Sequence, residues 1–238
     1  MDGELDLAAA PTKTGLDSAT SRAEAKGIAE QIGIFQERLA AEGQRALLVV
    51  FQAMDSGGKD GCIRHVFDEC SPQGVVVSRF QAPTHEELAH DFLWRAHKVA
   101  PPAGAIGVWN RSHYGGVVVE RVKQLTDADW PTRFRQIRDF ERLLTESGTR
   151  IVKVFLHISK GQQKKRLQRR LDDPSRHWKF DADDITQRAL WYDYMRCYEE
   201  AMAATSTPEA PWHVVPADDK KVRDLLVGRI ILAALQDM

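Results

Sequence analysis

Residues Ala46 to Phe51 read ALLVVF, an unbroken apolar run that passes directly into the glycine-bearing turn QAMDSGGKDG at 52–61. A strand with one wet face alternates apolar and polar residues. A continuous run of this kind belongs to a strand buried on both faces, as in a parallel sheet covered by helices. The rest of the chain fits that demand. Further strands are expected at Val75–Phe80, Ala105–Trp109, Ile151–Ile158 and Trp212–Val215. Helices are expected between and around them. They lie at Ala25–Ala41, Gly61–Cys70, Thr84 to about Val99, Trp130–Glu146, a basic stretch opened by Ser159 and Gln162, Asp183–Ala203 and Asp218–Leu235. Thr84 with Glu87 forms a capping-box signature. Phe134, Ile137, Phe140, Leu143 and Leu144 share one side of the helix at 130–146. Strands alternating with helices imply βαβ crossovers and a mainly parallel, five-stranded sheet in an α/β fold. Ligands of such sheets gather at the carboxyl ends of the strands, where the glycine turn sits.

Length and composition narrow the function. The chain has 238 residues, enough for one large α/β domain with a real core. Residues 1–25 lack periodicity and read as a flexible arm before a domain at 26–238. The formal net charge is -1, so bulk attraction to nucleic acid or to an anionic membrane is not expected, and any polyanion must meet a local basic patch. Cys62, Cys70 and Cys197 have no metal-type spacing and read as reduced thiols. The start Met-Asp-Gly-Glu carries acids where a secretion signal needs bases, and no apolar run reaches the ~20 residues of a membrane span. A cytoplasmic location is therefore expected.

Three stretches carry candidate chemistry. The first is Asp55-Ser56-Gly57-Gly58-Lys59-Asp60-Gly61. A glycine turn between strand and helix aims backbone N–H groups inward, and the helix N-terminus and lysine add positive charge, so the arrangement suits phosphate. The usual G-x-x-x-x-G-K-[ST] pattern would place glycine at Ala53 and a hydroxyl at Asp60. With no hydroxyl to help hold Mg²⁺, Asp55 inside the loop is the natural metal ligand. A plain turn opening a helix also fits the tripeptide alone. The second stretch, GVWNRSHYGG at 107–116, ends a strand with Asn110 and Arg111. Arginine offers a planar fork to phosphate oxygens, whereas a strand-end turn would use the same residues for geometry and solubility. The third crowds Lys160, Lys164, Lys165, Arg166, Arg169, Arg170, Arg176 and Lys179 into one segment, with 166, 169, 170 and 173 on one helical face. A solvated charged helix or a lid over phosphates would each produce this run. Trp178 reads as an aromatic anchor for the lid.

Taken together, these stretches resemble the polyphosphate kinase 2 family. The likeness runs through FQAMDSGGKDG, VWNRSHY, RLDDPSRHWKF, WYDYMRCYEEAMAATST and APWHVVPADDKKVRD, in order, over nearly everything after about residue 25. The resemblance implies a three-layer α/β/α, P-loop kinase-like fold with a helical lid at about 160–182. It implies Mg²⁺-dependent, reversible transfer of a terminal phosphoryl group from inorganic polyphosphate to AMP or ADP. Asp55 would serve the metal and the reacting phosphates. Lys59 and Arg111 would bind phosphates, Arg166 and Arg170 would cover them from the lid, and Lys179 matches the lysine after tryptophan. Ser56, Gly57, Gly58, Asp60 and Gly61 complete the loop. Asn110 resembles the branch that accepts both mono- and diphosphates. That branch often carries glutamate five residues on, where this chain has Gly115. A homo-oligomer, dimer or tetramer, is implied as well. An ATP-dependent nucleoside monophosphate kinase and a non-catalytic polyanion-binding module are the alternatives.

Overall fold

The computed structural model describes residues 5–238. Its elements in chain order are α1 (Ser18–Glu42), β1 (Ala46–Gln52), α2 (Lys59–Val66), β2 (Val75–Arg79), α3 (His85–Leu88), α4 (Trp94–His97), β3 (Ile106–Asn110), α5 (Val119–Val122), α6 (Trp130–Glu146), β4 (Thr149–His157), α7 (Lys160–Asp172), α8 (Asp183–Ala189), α9 (Trp191–Thr205), β5 (Trp212–Pro216) and α10 (Lys220–Gln236). The five strands form one sheet in the order β2-β3-β1-β4-β5, and every pairing is parallel. Parallel neighbours need long crossovers, and helices supply them. α1, α2 and α10 pack together as one layer, and α5, α6 and α9 as another. All seven residues of β1 are buried, as its unbroken apolar run demands.

The order of the strands places the site. From β1 the chain goes out to the edge at β2 and returns to β3 beside β1. It then crosses β1 to β4 and continues to β5. The strand order therefore reverses at β1, and a crevice opens at its carboxyl end, between the segments that leave β3 and β4.

Several expectations change. The long helix from Thr84 is two short ones. The capping box of Thr84 and Glu87 forms as read, but Asp91 accepts a hydrogen bond from Leu93 N at 2.9 Å and starts a new turn, with His90 stacked on Trp94. The helix at 183–203 is also divided, because Leu190 leaves helical geometry (ψ 19°) between α8 and α9. The arm at 1–25 is the third change. Residues 1–4 of it lie outside the described residues, but Leu7 is buried in the core and α1 is already under way at Ser18. The Asp17 side chain caps α1 by accepting from Ala19 N and Thr20 N. Polar first turns hid this helix start from an apolar-period search, and a side-chain cap supplies what periodicity does not. On α6, Phe134, Ile137 and Phe140 are buried as expected, whereas Leu143 is exposed.

Candidate active site

The loop after β1 is held by geometry that only small residues allow. Gly57 N donates to Met54 O at 2.9 Å, and a Cβ added at Gly57 would lie 2.4 Å from Ala53 Cβ and 2.7 Å from Met54 O. Gly58 has φ +96°, and Ser56, without glycine's freedom, sits at φ +60°. Two arginines, half-buried Arg166 and buried Arg223, brace the loop from behind. Arg166 of α7 donates to Ser56 O (3.0 Å) and Gly57 O (2.9 Å), and Arg223 of α10 donates to Gly58 O (3.1 Å). In a planar peptide the N–H opposes the C=O, so pinning these carbonyls on one side turns the following N–H groups to the other. We expect Gly57→Ala to cut turnover at least tenfold with a stability loss of about 1–3 kcal/mol, because the clash is with backbone and a tight neighbour. Parallel kinetics and thermal melts check this, and wild-type turnover in a folded variant would contradict it.

Lys59 opens α2 and is 8% exposed. Its Nζ donates back to Ala53 O at 3.2 Å. Burial, joined by the nearby charge of Arg111, lowers its pKa to about 8, while Asp55 and Asp60 oppose the shift. Arg170 of α7 adds a smaller push in the same direction. The glycine loop, the β3 end and α7 therefore meet around one ammonium group.

Asp60, the residue that departs from the hydroxyl pattern, has a partner: Asn110 Nδ2 donates to its Oδ1 at 2.5 Å. The two unusual residues thus explain each other. Asp60 fixes the amide at the end of β3, and Asn110 occupies the carboxylate beside the lysine. Arg111 has φ +62° and donates to Asp55 Oδ1 at 2.9 Å. Its backbone N donates to Phe51 O, which fastens this turn to β1. Below, Gln52 Nε2 donates to Ser112 Oγ, and Tyr198 OH of α9 donates to Gln52 Oε1.

On the far side of the crevice, α7 is capped by Ser159, whose side chain accepts from Gln162 N as the sequence led one to expect. Arg170 donates to Asp184 Oδ2 (2.8 Å) and Lys179 O (2.9 Å), which ties α7 to the segment that follows it. Position 173 is the C-cap of α7, where Asp173 opens the turn Pro174–Lys179, so it does not extend the basic face. Trp178 does not anchor anything: it is 78% exposed, its Nε1 donates to Ser175 O, and Lys179 Nζ lies 4.8 Å from its ring centroid. The exposed indole and ammonium shield one another instead.

Asp55 to Gly61, Asn110, Arg111, Arg166, Arg170 and Lys179 line one open groove of about 2140 Å³, whereas Lys160 and Lys164 of the basic segment do not. Arg166 plays a different part from the one expected. It donates to four carbonyls, those of Ser56, Gly57, Ala217 and Asp218, and burial lowers its pKa to about 10. Sequence reading passed over several contributors. Arg223 is buried and paired with Asp224, Gln163 Nε2 donates to Asp55 O, and Asp184 receives Arg170. The only local hint was an Arg-Asp pair inside the apolar stretch of α10, where a buried charge must be paired.

No group of three His, Cys, Asp or Glu side chains able to hold a metal occurs among the described residues. A Mg²⁺ site in a phosphotransferase does not need one, because one or two carboxylates suffice when phosphates and water complete the shell. Arg111 engages only Oδ1 of Asp55, so the carboxylate in the loop retains donor capacity for such an ion.

Comparison with known proteins assigns the family. The model of the family described as Polyphosphate kinase 2 matches residues 15–238. A Meiothermus ruber protein named AMP/ADP-polyphosphate phosphotransferase is 51% identical over 204 residues, which cover 85% of this chain and 76% of the relative. An ADP-polyphosphate phosphotransferase of Rhodopseudomonas palustris is 42% identical over 222 residues, 88% of this chain and 77% of the relative. The crystal structure of polyphosphate kinase 2 from Arthrobacter aurescens TC1 superposes with a TM-score of 0.96 at 44% identity and covers 100% of this chain and 87% of that one. With its fold, its loop and nearly its whole length accounted for in this way, the chain belongs to the polyphosphate kinase 2 family.

Proposed function

We propose that this chain is a phosphotransferase that moves a terminal phosphoryl group from inorganic polyphosphate to AMP or ADP, reversibly and with Mg²⁺. The observation that carries the reading is the groove: Lys59, Arg111 and Arg170, far apart in sequence, converge there in a chain whose net charge is only -1. A concentrated cationic lane on an otherwise balanced surface suits an extended polyanion.

Lys59 and the inward N–H groups at the start of α2 position the phosphates of the donor. Arg111 and Arg170 neutralise charge that develops on the transferring group, and Asp55 is the residue that would hold Mg²⁺. Held there, the ion would supply positive charge to offset that of the phosphate oxygens. An acceptor phosphate oxygen is already an anion near neutral pH, so no strong general base is required, and positioning with charge neutralisation carries the catalysis. Gly115 lines the groove with nothing within 4 Å of a Cβ built on it. It is our candidate for setting mono- against diphosphate preference. Operation in the cytoplasm as a dimer or tetramer, without nucleic acid or membrane partners, completes the proposal.

The test supplies AMP or ADP with Mg²⁺ and either long-chain polyphosphate or ATP, and reads products by phosphorus NMR. We expect nucleotide phosphorylation with polyphosphate as donor. Transfer from ATP to AMP alone would point to an ordinary nucleotide kinase, and Mg²⁺-independent binding without product would point to a binding module.

A further inference from the structure

The carboxyl end of β5 holds a hub of bonds that none of the roles above uses. Asp218 is buried there, and its carboxylate is spent within the protein. Oδ1 accepts from Ser159 N at 2.8 Å, and Oδ2 accepts from Ser159 Oγ at 2.9 Å and from Thr12 Oγ1 at 3.2 Å. A serine hydroxyl has one proton to give. Because that proton goes to Asp218, the hydroxyl lone pairs are left for the helix, and Ser159 Oγ accepts from Gln162 N at 3.1 Å. The backbone of Asp218 is engaged on both sides, its N donating to Thr12 O (3.0 Å) and its O accepting from Arg166 (3.2 Å). Arg166 in turn grips the glycine loop through Ser56 O and Gly57 O.

The partner of this hub is the irregular segment before α1. Leu7 is buried in the core, and Leu7 N donates to Glu199 Oε1 at 2.6 Å. Thr12 then reaches Asp218, and Ser18 Oγ reaches Asp219 at 3.4 Å. Residues 7–18 thus strap the hub from outside while Ser159 holds it from inside.

We propose that Asp218 is a positioning residue for the lid: with Thr12 of this strap it fixes the cap and first turn of α7, and through that helix the aim of Arg166 at the loop and of Arg170 at the groove. The catalytic consequence rests on the proposed phosphotransfer; the effect on α7 does not.

Two measurements on the full chain test it. The first is hydrogen exchange at the amides of Gln162 and Gln163, which are bonded to Ser159 Oγ and Ser159 O. We expect at least tenfold faster exchange there in Asp218→Ala and in Ser159→Ala. No such local change is expected in Leu39→Ala, a core cavity in α1 that controls for general loss of stability. Wild-type exchange at both amides in Asp218→Ala overturns the proposal, and so does equal acceleration in Leu39→Ala. The second is a cycle on kcat with polyphosphate and AMP. Asp218→Ala and Ser159→Ala should each lower kcat at least fivefold, and the double variant should be no worse than about twice the poorer single one, because both act through one cap. Losses that multiply would mean the residues act independently, against the proposal. Thr12→Val removes one bond of the hub and carries the exchange test should Asp218→Ala not fold. Absence of transfer by the wild-type protein would sink the functional reading while leaving the exchange result to judge Asp218.

Discussion

Lys59→Ala will lose at least a hundredfold in turnover while the protein remains folded. The ammonium stands where the glycine loop, Arg111 and Arg170 meet, and removing one preorganised charge from a site of this kind costs about 10²–10³ in rate. The fold itself pays for holding that charge. Burial and the neighbouring Arg111 depress the Lys59 pKa from 10.5 to about 8. A lysine whose folded pKa lies below its unfolded value is a destabilising cation at neutral pH, by about 3 kcal/mol at most for a shift of this size. The penalty shrinks as pH rises above the folded pKa of about 8 and is gone only near the unfolded value of 10.5. Lys59→Met should therefore be as inactive as the alanine variant and yet more stable than wild type. Ala53 O, the acceptor it abandons, lies 3.4 Å from Tyr198 OH, whose one proton is shared between it and Gln52 Oε1. The wild-type pH profile carries the same sign. Values of kcat/KM, which report the free enzyme, should fall as pH rises through about 8, as Lys59 becomes neutral. kcat, measured with phosphates bound against the ammonium, should hold to higher pH. Near-normal turnover of Lys59→Ala, or Lys59→Met melting below wild type, would remove Lys59 from the place given to it.

What the sequence disclosed, and what it concealed, divides by range. β1, the glycine loop and the start of α2 were legible because each is set by local rules: an unbroken apolar run, glycines where the backbone is crowded or left-handed, and a lysine at a helix start. The caps at Thr84 and Ser159 were legible for the same reason. Asp60 and Asn110 were each visible as departures, but their bond spans fifty positions and appears only when β1 and β3 lie side by side. Arg166 lines the groove, yet its carbonyl partners come from residues 56, 57, 217 and 218, and no pattern within α7 announces them. The break at Leu190 escaped because both flanks are good helix. Tertiary contacts, with Tyr194 OH bonded back to Gln187, decide the join. The start at Ser18 escaped because caps and contacts with α10, rather than apolar periodicity, hold the first turns of α1.

Lys153→Met, at a position remote from the glycine loop in sequence and wholly buried in the middle of β4, should be the most destabilising conservative change in the molecule. Lys153 Nζ donates to Glu141 Oε2 of α6 at 2.6 Å, to Tyr114 OH at 3.0 Å and to Thr205 O at the end of α9 at 2.8 Å. Tyr114 OH donates to Glu141 Oε1 at 2.8 Å, and Trp212 Nε1 of β5 donates to Thr205 Oγ1 at 3.1 Å. Five segments thus share one buried ionic cluster. Burial works against the charge of Glu141, but His113 and Lys153 outweigh it and hold the carboxyl below its ordinary pKa. Burial likewise keeps His113 neutral, so Lys153 is the cation that balances the site. Removing it strands a carboxylate with no water to receive it. Breaking one side of such a pair costs about 3–5 kcal/mol, which for a domain of this size lowers Tm by roughly 10 °C. The cost belongs to the orphaned charge rather than to the lost attraction. Adding Glu141→Leu to Lys153→Met should therefore recover most of the loss, since an apolar pair of similar volume often matches a buried ion pair. Tyr114 follows Arg111 by three residues in the turn after β3, so the single variant should also lose turnover while folded, as that turn loosens. Thermal melts of the two single variants and the double variant decide the matter. A Lys153→Met protein that melts within a degree or two of wild type, or a double variant no better than the single, would show that this cluster does not carry the energy assigned to it.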